Sequence, residues 1–242
     1  MKYQNIVMGT FLDRLNRFEA MVNADGQGQL CHVKNTGRCK ELLVPGTTIY
    51  LEKNSNPNRK TKYSLITVLK KCEQGKELLI NMDSQAPNKA VGEWLLLNQL
   101  IPDTRLIRPE TKYGNSRFDF YIEADDEISK NSDRNNIRKI FLEVKGVTLE
   151  NDGVARFPDA PTQRGIKHIR ELIKCVEQGY EAYLIFVIQM KGMKYFEPNH
   201  ITHKAFGEAL LEAVSAGVKI YAYDCLITPD TMIIDQEIIC KI

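Results

Sequence analysis

Apolar residues over 29–33, 47–51, 63–69 and 77–82 alternate with polar ones, or run together between turn-forming clusters. That is the period of a strand, whose successive side chains point to opposite sides of a sheet. Residues 10–22 alternate in part and read as a further strand, making about five. The punctuation agrees. Asp25-Gly26-Gln27-Gly28 reads as a hairpin turn, Pro45-Gly46 precedes the run at 47–51, and 54–62 is a polar loop. Past residue 84 the pattern changes. Residues 86–100, around Trp94, have helical spacing, and 106–108, 117–122 and 140–147 read as strands. Thr162 after Pro161 predicts an N-cap. Ile166, Ile169, Ile173 and Val176 then recur at helical spacing, and Gly179 marks a stop. Residues 182–188 predict a buried strand, 203–216 a helix and 218–223 a strand; 130–136 is a polar loop.

Two of these strands carry charge inside apolar runs. One is Phe118-Asp119-Phe120, the other Phe141-Leu142-Glu143-Val144-Lys145. Residues i and i+2 share a face, so Glu143 and Lys145 lie together while Leu142 and Val144 take the other side. Phe118 and Phe120 are likewise expected on the face opposite Asp119. If the strands pair, two carboxylates and an ammonium converge. Such oxygen ligands suit Mg2+ or Mn2+, with the Val144 carbonyl as a further ligand. A lysine beside the cation can orient or help deprotonate a water. This is equipment for metal-assisted phosphodiester hydrolysis. The alternative is an inter-strand salt bridge with solvated ends.

The helix that follows puts Gln163, Lys167, Arg170 and Lys174 on one face. The face is basic, and the N–H groups of the helix start favour an anion; the alternative is an ordinary solvated face. Arg164, Lys167 and His168 are therefore candidate phosphate contacts, with Arg117 on the motif strand; His168 can instead support a metal ligand or serve as a hydrogen-bonded structural histidine. In the first half, Asn35-Thr36-Gly37-Arg38 is the candidate patch. Gly37 permits a tight turn, Asn35 and Thr36 can bond backbone or phosphate, and Arg38 can meet a phosphate by charge.

Net charge is only +2, so distribution rather than total charge has to carry nucleic-acid binding. Apolar residues at 43% suffice for a core over 242 residues, enough for one large or two modest domains. No apolar run is long enough for a signal peptide or a membrane span. Cys31, Cys39, Cys72, Cys175, Cys225 and Cys240 are scattered and read as free thiols of a cytoplasmic protein. There is no Gly-x-Ser-x-Gly, Walker loop or dinucleotide fingerprint.

The segments 32–37, 112–120, 143–149 and 157–168 give the chain a resemblance to the sugar fermentation stimulation protein family. The resemblance implies an α+β protein. An N-terminal OB-fold-like β-barrel, 1–83, binds nucleic acid; a PD-(D/E)xK nuclease-like domain with a mixed central sheet, 84–242, follows. It carries the nuclease motif onto Asp119, Glu143 and Lys145, with Phe118 where the motif's name has proline. In nuclease-like folds a glutamate on the preceding helix often adds a metal contact, which points to Glu93 if that helix packs beside Asp119; otherwise Glu93 is an exposed helix-surface charge. Two functions are expected from this. One is a DNA-binding protein with a Mg2+- or Mn2+-dependent phosphodiesterase site and weak sequence preference. The other is a non-catalytic DNA-binding regulator of sugar (maltose) metabolism genes. A homo-oligomer is compatible with both.

Overall fold

The computed structural model describes residues 1–35, 37–56, 58–72, 75–97, 100–126 and 137–242. Thr36 and the 130–136 loop lie outside the described residues.

The first half builds β1 (Ile6–Arg14), β2 (Glu19–Ala24), β3 (Gln27–Val33), β4 (Thr48–Lys53) and β5 (Tyr63–Lys71). They lie in the order β3-β2-β1-β4-β5, and the parallel pairing of Cys31 with Tyr63 closes them into a barrel. A sixth strand, β6 (Glu77–Asn81), hairpins onto β5. β5 pairs with β3, β4 and β6, and its Tyr63 to Val68 run is wholly buried. The segment 10–22 is not one strand but two. The imperfect alternation there marks a turn, where Asn16 Oδ1 accepts the Phe18 N–H at 2.8 Å.

The second half begins with α1 (Ala86–Leu96), which stops short of residue 100. Then come β7 (Thr104–Tyr113), β8 (Ser116–Asp125), β9 (Ile137–Val147), β10 (Leu149–Asn151), β11 (Val154–Phe157) and α2 (Gln163–Glu177). β12 (Glu181–Ile188), β13 (Tyr195–Pro198), α3 (His200–Ser215), β14 (Lys219–Ile227) and β15 (Met232–Glu237) complete it. The main sheet runs β15-β14-β12-β9-β8-β7. β9, β12 and β14 are parallel and the outer pairings antiparallel, so the sheet is mixed. β10, β11 and β13 form a small separate sheet. The Thr162 hydroxyl accepts the Gly165 N–H at 3.0 Å and caps α2 as its sequence predicts.

One apolar cluster joins the barrel interior (Phe11, Leu51, Leu65) to the sheet face beneath α2 and α3 (Phe118, Phe141, Phe186). A second, around α1, holds Phe120, Leu142 and Val144. The junction between the halves is densely bonded. Gln189, at the end of β12, donates its Nε2 to the carbonyls of Asn81 and Asp83 at 3.0 and 3.1 Å. The buried Asp83 carboxylate receives Lys34 Nζ at 3.2 Å and the Tyr3 hydroxyl at 3.3 Å. Among the described residues, no helix is long and apolar enough to cross a membrane.

Candidate nuclease-type site

Asp119 sits where β8 and β9 part, within electrostatic reach of Glu143. The ladder between these strands runs in register from Asp125–Ile137 to Phe120–Leu142 and pairs no further residue of β8. Beyond it the Asp119 side chain takes over from backbone: Oδ2 accepts the Val144 N–H at 2.7 Å. On the other side of Asp119, Glu110 of β7 adopts a left-handed backbone, φ 52°. The irregularity turns Phe118 and Phe120 to opposite faces. Phe118 joins Phe141 under α2, and Phe120 packs 3.5 Å from where a Gly92 side chain would begin on α1. The expectation that both phenylalanines share a face is corrected accordingly; strict alternation does not survive the fork.

Asp119 Oδ1 accepts the side-chain amide of Asn88, on α1, at 2.6 Å. Glu143 is 3% exposed and points to the α2 side. Its Oε1 accepts both the Lys145 ammonium and, at 2.5 Å, Nδ1 of His168. Its Oε2 is buried with no partner among the described residues. Burial, then the Glu143 charge, push the Asp119 carboxyl up to about 6. Burial acts on Glu143 in the same sense, but the hydrogen bonds from His168 and Lys145 and the Lys145 ammonium outweigh it and hold that carboxyl below its usual range. Two neighbouring carboxyls driven apart in this way resemble paired acid sites in enzymes. Gly146 follows directly. A side chain there would meet Gln189 Oε1 at 2.5 Å and Pro87 at 2.8 Å, so only glycine lets β9 pass between α1 and the junction.

The donor set fits a hard cation that keeps much of its water. Glu143 has an orphaned carboxylate oxygen, and its charge together with burial disfavours ionisation of Asp119. Among the described residues no three His, Cys, Asp or Glu side chains are grouped to hold a metal, so two carboxylates, backbone and water would have to serve. The contact seen from Val144 is its amide N–H rather than its carbonyl.

Other expected residues fall elsewhere. Glu93 is 2.7 Å from the Met1 ammonium, with a largely exposed side chain, and no contact joins it to Asp119 or Glu143. His168 is 7% exposed and turned onto Glu143, so it is no surface contact for phosphate. Arg164 is exposed and directs Nε at His168 Nε2, 3.5 Å away. Lys167 is exposed and donates to the Asn115 carbonyl at 3.2 Å. Arg117 lies on the surface, 3.9 Å from Glu110. Asn35 Oδ1 caps the Gly37 N–H at 2.8 Å, which is the turn-forming alternative for that residue. Arg38 is exposed, and its guanidinium has no partner among the described residues.

Two residues that the sequence did not mark complete the picture. Asn88 was hidden because a polar residue in a first helical turn looks like surface. Arg14 reaches the carbonyls of Asn35 and Gly37 at 2.9 and 2.8 Å and shapes the loop that presents Arg38. With Arg17, Arg38 and Lys40 it lines one basic hollow on the barrel.

Comparison with known proteins agrees with this architecture. The family model "SfsA N-terminal OB domain" matches residues 12–80, and "Sugar fermentation stimulation protein RE domain" matches 85–231. A sugar fermentation stimulation protein homolog of Clostridium beijerinckii is 56% identical over 96% of each chain. One from Ruminiclostridium cellulolyticum is 50% identical over 98% of each. The solved structure of Pyrococcus furiosus SfsA in complex with Ca2+ superposes with a TM-score of 0.81 at 28% identity, covering 100% of this chain and 98% of that one. With matches along nearly its whole length, the chain belongs to the sugar fermentation stimulation protein (SfsA) family.

Proposed function

We propose that the chain is a DNA-binding protein with a phosphodiesterase site dependent on Mg2+ or Mn2+, built on Asp119, Glu143 and Lys145. The observation that carries this is Glu143 Oε2, a buried carboxylate oxygen with no partner among the described residues, in a carboxylate whose charge acts on Asp119. Leaving such an atom unbonded is costly, and a cation would relieve both that cost and the mutual repulsion. A divalent ion bound there would supply Lewis-acid polarisation of a phosphoryl oxygen and a more acidic water. Asp119 is held by Asn88 and Val144, Glu143 by Lys145 and His168, so neither carboxylate has to be ordered on binding. On this reading Lys145, bonded to Glu143, steadies negative charge on the phosphoryl group or orients the attacking water. The Ca2+ complex of the Pyrococcus furiosus relative supports a hard divalent cation as the ligand class.

DNA is gripped through phosphates on this reading. Barrels of this type take nucleic acid on a strand face and its loops, and here the loop side offers Arg17, Arg38 and Lys40. The α2 face adds Lys167, Arg170 and Lys174, all exposed. These are charges rather than base-reading pairs, so sequence preference is weak and salt dependence clear. A second reading, a non-catalytic DNA-binding regulator, is favoured by Glu143 Oε1 already being satisfied by two donors without metal.

The deciding experiment incubates purified protein with single-stranded, duplex and branched DNA, with and without Mg2+ or Mn2+. Wild type should cleave at least one form. Lys145→Ala should bind DNA almost unchanged yet cleave roughly 100-fold or more slowly. Absence of cleavage on every form with either metal rejects the enzyme and leaves the regulator. Equal cleavage by the Lys145 variant would place the activity elsewhere.

A further inference from the structure

Glu143 is gripped on one oxygen and bare on the other, and the asymmetry has a visible origin. Arg164 and His168 are one turn apart on α2 and so share a face. Arg164 Nε lies 3.5 Å from His168 Nε2, and His168 Nδ1 lies 2.5 Å from Glu143 Oε1. A neutral imidazole donates through one nitrogen and accepts through the other. An arginine has no acceptor, so its N–H facing Nε2 assigns the accepting role to that nitrogen. The proton then belongs on Nδ1, where the carboxylate accepts it. The ring is held by burial and by an edge contact with Phe118, centroids 6.3 Å apart at 80°. The helix that carries it is anchored at its first turn by the Thr162 cap.

We propose that His168 is a positioning residue, set by Arg164 as its Nδ1–H tautomer, which pins Glu143 Oε1 and so reserves Oε2 for a cation. The assignment of Oε2 rests on the cation reading above; the pinning of Oε1 does not. Without His168, only the flexible Lys145 chain would hold Oε1, and the carboxylate could rotate both oxygens toward that ammonium. With His168 in place, the carboxylate plane is fixed from a rigid helix, and Lys145 remains available to a water or phosphoryl oxygen. Hydrogen bonds that orient ligating carboxylates characteristically matter to metal affinity as well as to rate.

The test uses the full chain and has two independent readouts. The first is nitrogen-15 NMR of the His168 ring in metal-free protein near neutral pH. Protonation on Nδ1, lost or mixed in Arg164→Ala, is expected; a ring protonated on Nε2 in wild type overturns the proposal. The second is calorimetric titration of Mn2+ into His168→Ala and His168→Asn. Both shorten the side chain and remove similar packing, so their melting temperatures should fall alike, but asparagine can still donate from near the Nδ1 position. The alanine variant should bind Mn2+ roughly 10–100-fold more weakly, and asparagine should recover most of that loss. Unchanged affinity in the alanine variant, or equal loss in both, would reduce His168 to a packing residue. If wild type binds no Mn2+, the cation reading falls by itself. The NMR result then decides alone whether His168 pins Glu143.

Discussion

At the scale of single residues, the two carboxyls of the site respond oppositely to their surroundings, and this predicts a pH signature. Asp119 sits at about 6 in the folded protein, above the ~3.9 of an unfolded chain. It therefore binds its proton more tightly when folded. Its contribution is most favourable below about pH 4, declines as pH rises to about 6, and above that stands as a fixed cost. In metal-free protein, Asp119→Asn should raise unfolding stability near pH 7.5 by about 1–3 kcal/mol, and the gain should vanish near pH 4. Urea unfolding at the two pH values measures this. An Asn variant weaker than wild type at pH 7.5 would mean that the bonds to Asn88 and Val144 outweigh burial. The same substitution should abolish Mn2+ binding, so stability and ligand affinity would move in opposite directions. Asp119, Glu143 and Lys145 were legible in the sequence because charge inside a strand pattern is conspicuous and i, i+2 fixes the face. Asn88 was not, since only the packing of α1 over Phe120 shows what it faces. Glu93, five residues further on, is turned by about 140° around the helix, away from that face. His168 was legible as polar, with a phosphate contact, support of a metal ligand and a structural histidine all left open; only the packing of α2 shows that the ring faces inward onto Glu143.

Among the elements, α2 does two jobs with its two sides. Ile166, Ile169, Leu172 and Cys175 face the core with His168, while Lys167, Arg170 and Lys174 face outward. Lys167→Gln with Arg170→Gln should weaken binding to all DNA sequences alike and reduce the slope of log affinity against log salt by roughly two. Fluorescence anisotropy at several salt concentrations checks this; a slope as steep as that of wild type would exclude the α2 face from the contact. Long, strongly periodic elements such as β5, β9, β12 and α2 were readable because each repeats its pattern several times. β10, β11 and β13 span only three or four residues, too few for a period to register. β15 escaped because its exposed half is polar and its pairing with β14 carries a register shift. The fork at Asp119 was invisible for a different reason. Its cause is the left-handed Glu110 across the hairpin together with a side chain bonding in place of backbone, and neither leaves a mark in composition.

For the whole molecule, the change of pattern near residue 84 marks a change of architecture but not a loose connection. The barrel interior and the α2–α3 side of the sheet belong to one apolar cluster. Around it, Lys34 bridges Glu52 and the buried Asp83 at 3.3 and 3.2 Å, and Gln189 clasps the passing backbone. Lys34→Met would leave two carboxylates facing each other without a counter-charge, one of them buried. It should cost about 3–5 kcal/mol and lower the single thermal transition as a whole. Two separate transitions in calorimetry, with only the first displaced, would contradict that. The bonded junction also bears on how this chain can be taken apart. Cut between Asn81 and Ala86, it should yield two fragments that each expose half of a common interior and fail to stay in solution alone. Produced together, they should find each other and assemble, so that what looks along the sequence like a pair of modules would behave as a split protein whose halves report their own reunion.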